Sequence, residues 1–150
     1  MAVETTALPQ QLADIVDDFQ ALSEPDRLQL LLEFSRGLPA LPEHLQDHPE
    51  LLEQVVECQS PLFLTLDIAD DAAKSVSLFF SAPPEAPTTR GFAGVLQEGL
   101  DGLPAAEILA VPDDVPERLG LTRAITPLRM RGMTAMLGRI KRKIRESGAV

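Results

Sequence analysis

The sequence predicts an α+β domain in which helices cover one face of a small antiparallel sheet. Three observations carry that prediction. Apolar residues near the start recur every three or four positions, residues 62–68 and 76–80 alternate at period two, and a long three-and-four pattern closes the chain.

The first pattern, Leu8, Leu12, Ile15, Phe19 and Leu22, predicts an amphipathic helix over about Pro9–Ala21 with Asp14, Asp17 and Asp18 on its polar face. Ser23, Glu24 and Pro25 read as the cap and first turn of a second helix, which runs to about Arg36 and buries Leu28, Leu31, Leu32 and Ser35. Gly37 before Leu38 and Pro39 stops it, and the two helices are expected to form a hairpin. Prolines 39, 42 and 49 make a surface loop, followed by a short helical stretch over Glu50–Val56. Leu62, Leu64, Leu66 and Ile68 then alternate with Phe63, Thr65 and Asp67 as a strand, Asp70 and Asp71 break it, and Val76, Leu78 and Phe80 resume it, giving an antiparallel hairpin. A proline-rich turn leads to a helix over about Thr88–Gly99, and Pro104 opens a shorter helical turn. Thr126 and Pro127 cap a final helix reaching about Glu146, with Met133, Met136, Leu137, Ile140 and Ile144 inward.

At 150 residues the chain fits one domain, and with 45% apolar residues but neither Trp nor Tyr its core rests on aliphatics, Met and six Phe. The N-terminal ten residues carry acid rather than base and lack an apolar segment, so no secretory or transit leader is expected. No apolar run approaches the roughly 20 residues that span a bilayer. A cytoplasmic protein is the expectation, with its single cysteine reduced and no internal disulfide. Residues 1–114 hold 21 acids against four bases, and residues 115–150 hold nine bases against two acids. The basic cluster Arg139, Lys141, Arg142, Lys143 and Arg145 lacks aromatics for stacking on bases, and the acidic remainder repels phosphate, which argues against nucleic acid. A solvated helix face or a partner-facing patch is the better reading.

Cys58 falls in the connection from the helical stretch to the first strand, Val55-Val56-Glu57-Cys58-Gln59-Ser60-Pro61. A free cysteine is more often a small buried hydrophobe than a nucleophile, yet loops entering a rigid strand are where reactive residues are displayed. With no second cysteine to resolve a disulfide, a nucleophilic Cys58 must exchange with another molecule's sulfur. Glu57 beside it disfavours the thiolate. His44 and His48 are four apart, but His44 lies between prolines and the pair lacks the intervening Glu of a metalloprotease helix, so neither a metal site nor a Cys-His hydrolase is favoured.

Several segments, in order, resemble the SufE family: the helical entry ending in Gly37-Leu38-Pro39, Cys58-Gln59-Ser60, Arg90-Gly91-Phe92, Leu119-Gly120-Leu121, and Thr126 through Leu137 (TPLRMRGMTAML). The resemblance spans roughly residues 9–146 of a single domain covering 1–150. It implies an α+β fold shared with IscU-type scaffolds and a sulfur acceptor for a SufS-type cysteine desulfurase, which the acceptor stimulates. Sulfur would then pass to a downstream scaffold complex of iron–sulfur cluster assembly. The acceptor is Cys58. Pyridoxal phosphate belongs to the partner enzyme, and no cofactor, metal, nucleic acid or membrane is implied for this chain. The sequence departs from the family at Glu57, where glycine is common, and at Arg90, where many relatives carry Lys. A glycine before the cysteine would permit φ > 0, so loop geometry and thiol reactivity are the properties expected to differ here.

Around Cys58 the remaining candidates are supporting residues Gln59 and Arg129, and partner-facing residues Arg90 and Ser60. Arg129 stands in the first turn of a helix, where the macrodipole disfavours a cation; it either steadies the Cys58 thiolate or pairs with an acid such as Glu57. Gln59 and Ser60 either shape the loop or meet the partner. Met130, Met133 and Met136 read as core filling. A recess lined from Leu62 and Val56 would shelter the resting thiol, and its loop would swing out to react. The rival reading is a non-catalytic adaptor that grips an acidic partner through the basic final helix while Cys58 merely packs.

Overall fold

The computed structural model describes residues 8–149. The expectation about the N-terminal leader therefore falls largely outside the described residues. Helix α1 (Gln10–Gln20) buries Leu12, Ile15, Val16 and Phe19 on one stripe. Helix α2 (Glu24–Gly37) starts with Pro25 in its first turn and two acids, Glu24 and Asp26, which suit the positive end of its dipole. Its buried positions are Leu31 and Ser35, while Leu28 and Leu32 are half-buried.

The two helices are consecutive but do not build the expected paired hairpin. Each packs mainly on α4 (Pro87–Leu100), the helix through the middle of the core. The reason lies in α4: a side chain at Gly91 would stand 2.6 Å from the Leu31 carbonyl, and one at Gly94 would run into the Phe34 backbone. These glycines let α2 lie against α4 more closely than two side-chain-bearing helices can.

Short helix α3 (Glu43–Gln46) and a 3₁₀ turn (Pro49–Leu51) lead to β1 (Glu53–Gln54). The predicted helix over Glu50–Val56 is thus replaced by a turn, a two-residue strand and the beginning of a second turn. Leu51, Leu52, Val55 and Val56 satisfy either period over so short a window, and pairing with the neighbouring strand decides it. Strands β2 (Phe63–Ile68) and β3 (Val76–Ser81) form the expected hairpin, with order β1-β2-β3, all antiparallel. Leu64 sits opposite Glu53 on one side and Phe80 on the other. Leu62, Leu64, Val76, Leu78 and Phe80 point into the core; Leu66 and Ile68 are half-buried.

Beyond α4 come α5 (Ala105–Leu109), the unpredicted α6 (Val115–Arg118) and α7 (Pro127–Ser147). Thr126 caps α7 through its hydroxyl, which accepts the Arg129 N–H at 3.3 Å, and Gly148 ends it at φ 76°. Met130, Met133, Met136, Leu137, Ile140 and Ile144 are buried along one face, so the methionines are core residues. No helix among the described residues is long and apolar enough to cross a membrane.

Candidate functional site

The loop from β1 to β2 is closed at its base by the Val55 N–H donating to the Leu62 carbonyl at 2.9 Å. Inside it, Val56–Cys58 form one 3₁₀ turn: the Cys58 N–H donates to Val55 and the Gln59 N–H to Val56, each at 3.1 Å. Gln59 then reverses the chain at φ 56°, ψ 17°. Positive φ therefore falls after the cysteine, and Glu57 needs no glycine-like backbone. Ser60 accepts the Leu62 N–H through its carbonyl, shaping the return to β2.

The turn lies on α7. Cys58 is 8% exposed, its Sγ 3.7 Å from the Gly132 carbonyl oxygen, a distance suited to a weak S–H donor. Gly132 is the notch that receives it: a methyl group there would stand 3.1 Å from Sγ and 3.3 Å from the Cys58 Cα. The expected shelter for the resting thiol exists, but Val56 does not line it. Val56 is 63% exposed, whereas Leu62 is fully buried. Leu128, one helical turn before Gly132, is also an exposed apolar residue.

Burial pushes the Cys58 thiol from an ordinary 9.0 up to about 11; the Glu57 carboxylate adds to the shift and Arg139 opposes it. At neutral pH only about one molecule in 10⁴ then carries the thiolate, against about one in 10² for a thiol at the ordinary value. The resting site is a protonated thiol.

Arg139, one heptad after Gly132, is the cation of the site. Its Nη1 lies 2.9 Å from Glu57 and its Nε 3.0 Å from Glu53. Glu53 also pairs with Arg142 and, at 3.3 Å, with Lys143. Burial works to raise the Glu53 carboxyl, but hydrogen bonds from Arg142 and Lys143, together with their charges, outweigh it and hold the group below its ordinary value.

Of the residues singled out from the sequence, the fold gathers Glu57, Cys58, Gln59 and Ser60 in one turn. Arg129 is not the partner of Glu57: its side chain is exposed and forms no ion pair among the described residues, and Glu57 pairs with Arg139. Arg90, half-buried, is an internal clamp. Its guanidinium donates to the carbonyls of Ser35 at 2.8 Å, Ala82 at 2.6 Å and Leu38 at 3.3 Å, joining the end of α2 to the end of β3. His44 lies edge-on to Phe79, and His48 pairs with Glu50 at 2.9 Å. Sequence reasoning missed Gly132 and Arg139. Their separation of seven on one helix was the available signal.

The arrangement defines a small α+β domain that presents a single thiol on a turn between two strands, sheltered against a glycine of its longest helix. Comparison with known proteins narrows the class. The SufE family profile, described as an Fe-S metabolism associated domain, matches residues 13–144. The chain belongs to the SufE family. It is 57% identical over 141 residues to an uncharacterized SufE-like protein of Mycobacterium tuberculosis, covering 94% of this chain and 96% of the relative. It is 26% identical over 141 residues to the cysteine desulfuration protein SufE of Plasmodium vivax, covering 93% of this chain and 54% of that protein. The solution structure of a hypothetical protein from Thermus thermophilus superimposes with a TM-score of 0.81 at 35% identity, covering 96% of this chain and all of that one.

Proposed function

We propose that this chain accepts sulfur from the persulfide of a cysteine desulfurase onto Cys58, stimulates that enzyme by removing its product, and passes the sulfur to iron–sulfur cluster assembly. The observation that carries the reading is the lone thiol held on a short turn in a family tied to Fe–S metabolism. In the reaction the Cys58 thiolate forms a bond to the outer sulfur of the donor persulfide. The donor's S–S bond breaks, its electron pair leaves on the inner sulfur as a thiolate, and Cys58 becomes a persulfide. Thiolate fraction and access both limit such exchange, and the resting site restricts both. Transfer therefore requires the turn to swing away from Gly132, leaving exposed Val56 and Leu128 to meet the partner. A reducing cytoplasm suits the chemistry.

Charge pairing disfavours the adaptor reading. Arg139, Lys141, Arg142 and Lys143 are already engaged by Glu53, Glu57 and Asp113, so most of the basic helix is not free to grip an acidic partner. The test is to incubate the protein with a pyridoxal-phosphate cysteine desulfurase and cysteine and to weigh it intact. One added sulfur atom, absent from Cys58→Ser, supports the acceptor role. An unchanged mass, with equal stimulation of the enzyme by both forms, overturns it.

A further inference from the structure

The Cys58 turn is tied to α7 at two points, the packing of the thiol on Gly132 and the ion pair between Glu57 and Arg139. The two carboxylates that share Arg139 are held very differently. Glu53 belongs to a strand and is engaged by three cations, Arg139, Arg142 and Lys143. Glu57 belongs to the turn, is nearly half exposed, and has Arg139 as its one ion partner among the described residues.

Opening the turn therefore has an asymmetric consequence. Arg139 keeps Glu53 and is not stranded, whereas Glu57 leaves its only cation and travels with Cys58 into the contact with the sulfur donor. A carboxylate desolvated in that contact without a counter-charge is costly, and a cation on the donor removes the cost. The same cation offsets the repulsion between Glu57 and the forming thiolate next to it. Val56, the exposed residue that precedes Glu57 in the turn, is apolar and offers no substitute charge.

We propose that Glu57 is the residue with which this protein reads its sulfur donor: paired with Arg139 at rest, it passes to a cationic group beside the donor's reactive sulfur when the turn opens. The donor surface it fits carries a Lys or Arg next to the persulfide. This inference rests on the acceptor reading of Cys58, and Glu57 acts in it as a specificity-determining and positioning residue.

The test uses the intact chain alone with two small disulfides of opposite charge, cystamine and dithiodipropionate. Cys58 attacks one sulfur of either, and the other half leaves as a thiol, so the mixed disulfide is followed by mass. Cystamine is expected to react faster, and Glu57→Gln to shrink the cystamine-to-dithiodipropionate rate ratio roughly three- to tenfold at low ionic strength. High salt is expected to erase the difference. Glu85→Gln, which removes the same charge from the exposed β3–α4 connection, leaves the ratio unchanged. Arg139→Gln frees Glu57 and widens the ratio, and Arg139→Lys restores it; a merely structural latch would raise both rates together and leave the ratio alone. An equal ratio in wild type and Glu57→Gln, or an equal fall in Glu85→Gln, overturns the proposal. If Cys58 gains sulfur from a desulfurase but the ratio ignores Glu57, this inference alone fails; if Cys58 gains none, the acceptor reading fails first.

Discussion

Replacing Gly132 with alanine is the most direct probe of the sheltered thiol. The new methyl carbon would stand 3.1 Å from Sγ and 3.3 Å from the Cys58 Cα, each a few tenths of an ångström inside ordinary carbon contacts. Overpacking of that size costs about 1–2 kcal/mol where neighbours cannot move. The proposed opening of the turn lets them move without unfolding the domain. The strain therefore falls on the closed state, and the open population rises by roughly 5- to 30-fold, the factor to which about 1–2 kcal/mol corresponds. Global stability should hardly fall, since alanine gains about 1 kcal/mol over glycine in a helix interior. The assay is alkylation of Cys58 by iodoacetamide at pH 8, with thermal unfolding in parallel. Gly138→Ala is the control on the same helix, because a methyl there meets nothing within 4 Å. It should gain stability without changing the alkylation rate. An unaltered Cys58 rate in Gly132→Ala, with wild-type melting, would refute the notch.

Alkylation of the wild-type thiol should climb about tenfold per pH unit from neutrality with no plateau below pH 10, because Cys58 titrates near 11; a plateau near pH 9 would contradict burial of the thiol. The linked stability follows from the folded pKa being the higher: the contribution is complete below the unfolded value of about 9 and is lost as pH rises through 11, by at most about 2–3 kcal/mol. Urea melts at pH 7 and pH 10.5 should show most of that loss, about 2 kcal/mol, as the extra fall of wild type over Cys58→Ala. Arg90→Ala should cost roughly 2–4 kcal/mol by orphaning the Ser35, Ala82 and Leu38 carbonyls, with Arg90→Lys recovering only part; urea unfolding at wild-type stability would show the clamp to be idle. Arg129→Ala should leave the alkylation rate of the isolated protein unchanged, since the cation that offsets Glu57 at rest is Arg139; a marked slowing would return Arg129 to the site.

Long periodic segments announced themselves in the sequence, and α1, α7 and the β2–β3 hairpin lie where their periods put them. The failures have physical causes. Leu51, Leu52, Val55 and Val56 carry no period of their own, and it took Leu64 opposite Glu53 to make that stretch a strand. The pairing of α1 and α2 was inferred from adjacency, whereas small residues on α4 drew each helix elsewhere. The thiol was legible as a singleton in a loop, and the turn around it was legible with it. Its setting was not, because Gly132 and Arg139 lie more than 70 residues away and meet Cys58 and Glu57 only through the packing of the turn on α7. Arg90 shows the converse: an arginine at a helix start looks available from sequence alone, and only the fold reveals three carbonyls converging on it.

The electrical polarity of the chain acquires a meaning it lacked in one dimension. An acidic body followed by a basic final helix would, left unpaired, invite nonspecific partners. Folding instead satisfies much of that opposition internally. Lys141, 6% exposed, reaches the Val111 carbonyl and, at 2.8 Å, Asp113, fastening the connection between α5 and α6 to α7. Arg142 and Lys143 hold Glu53, and Arg139 spans Glu53 and Glu57. Three acids are thus fixed along the final helix, Glu53 and Glu57 on the face of Arg139, Arg142 and Lys143 and Asp113 on the side of Lys141. Glu53 is overdetermined and Asp113 is held by a buried lysine. Glu57 has a single, nearly half-exposed ion pair among the described residues and sits on the turn that carries the thiol. The packing of the thiol on Gly132 and this one exposed pair together hold the turn closed, and a competing cation is the proposed means of breaking the pair.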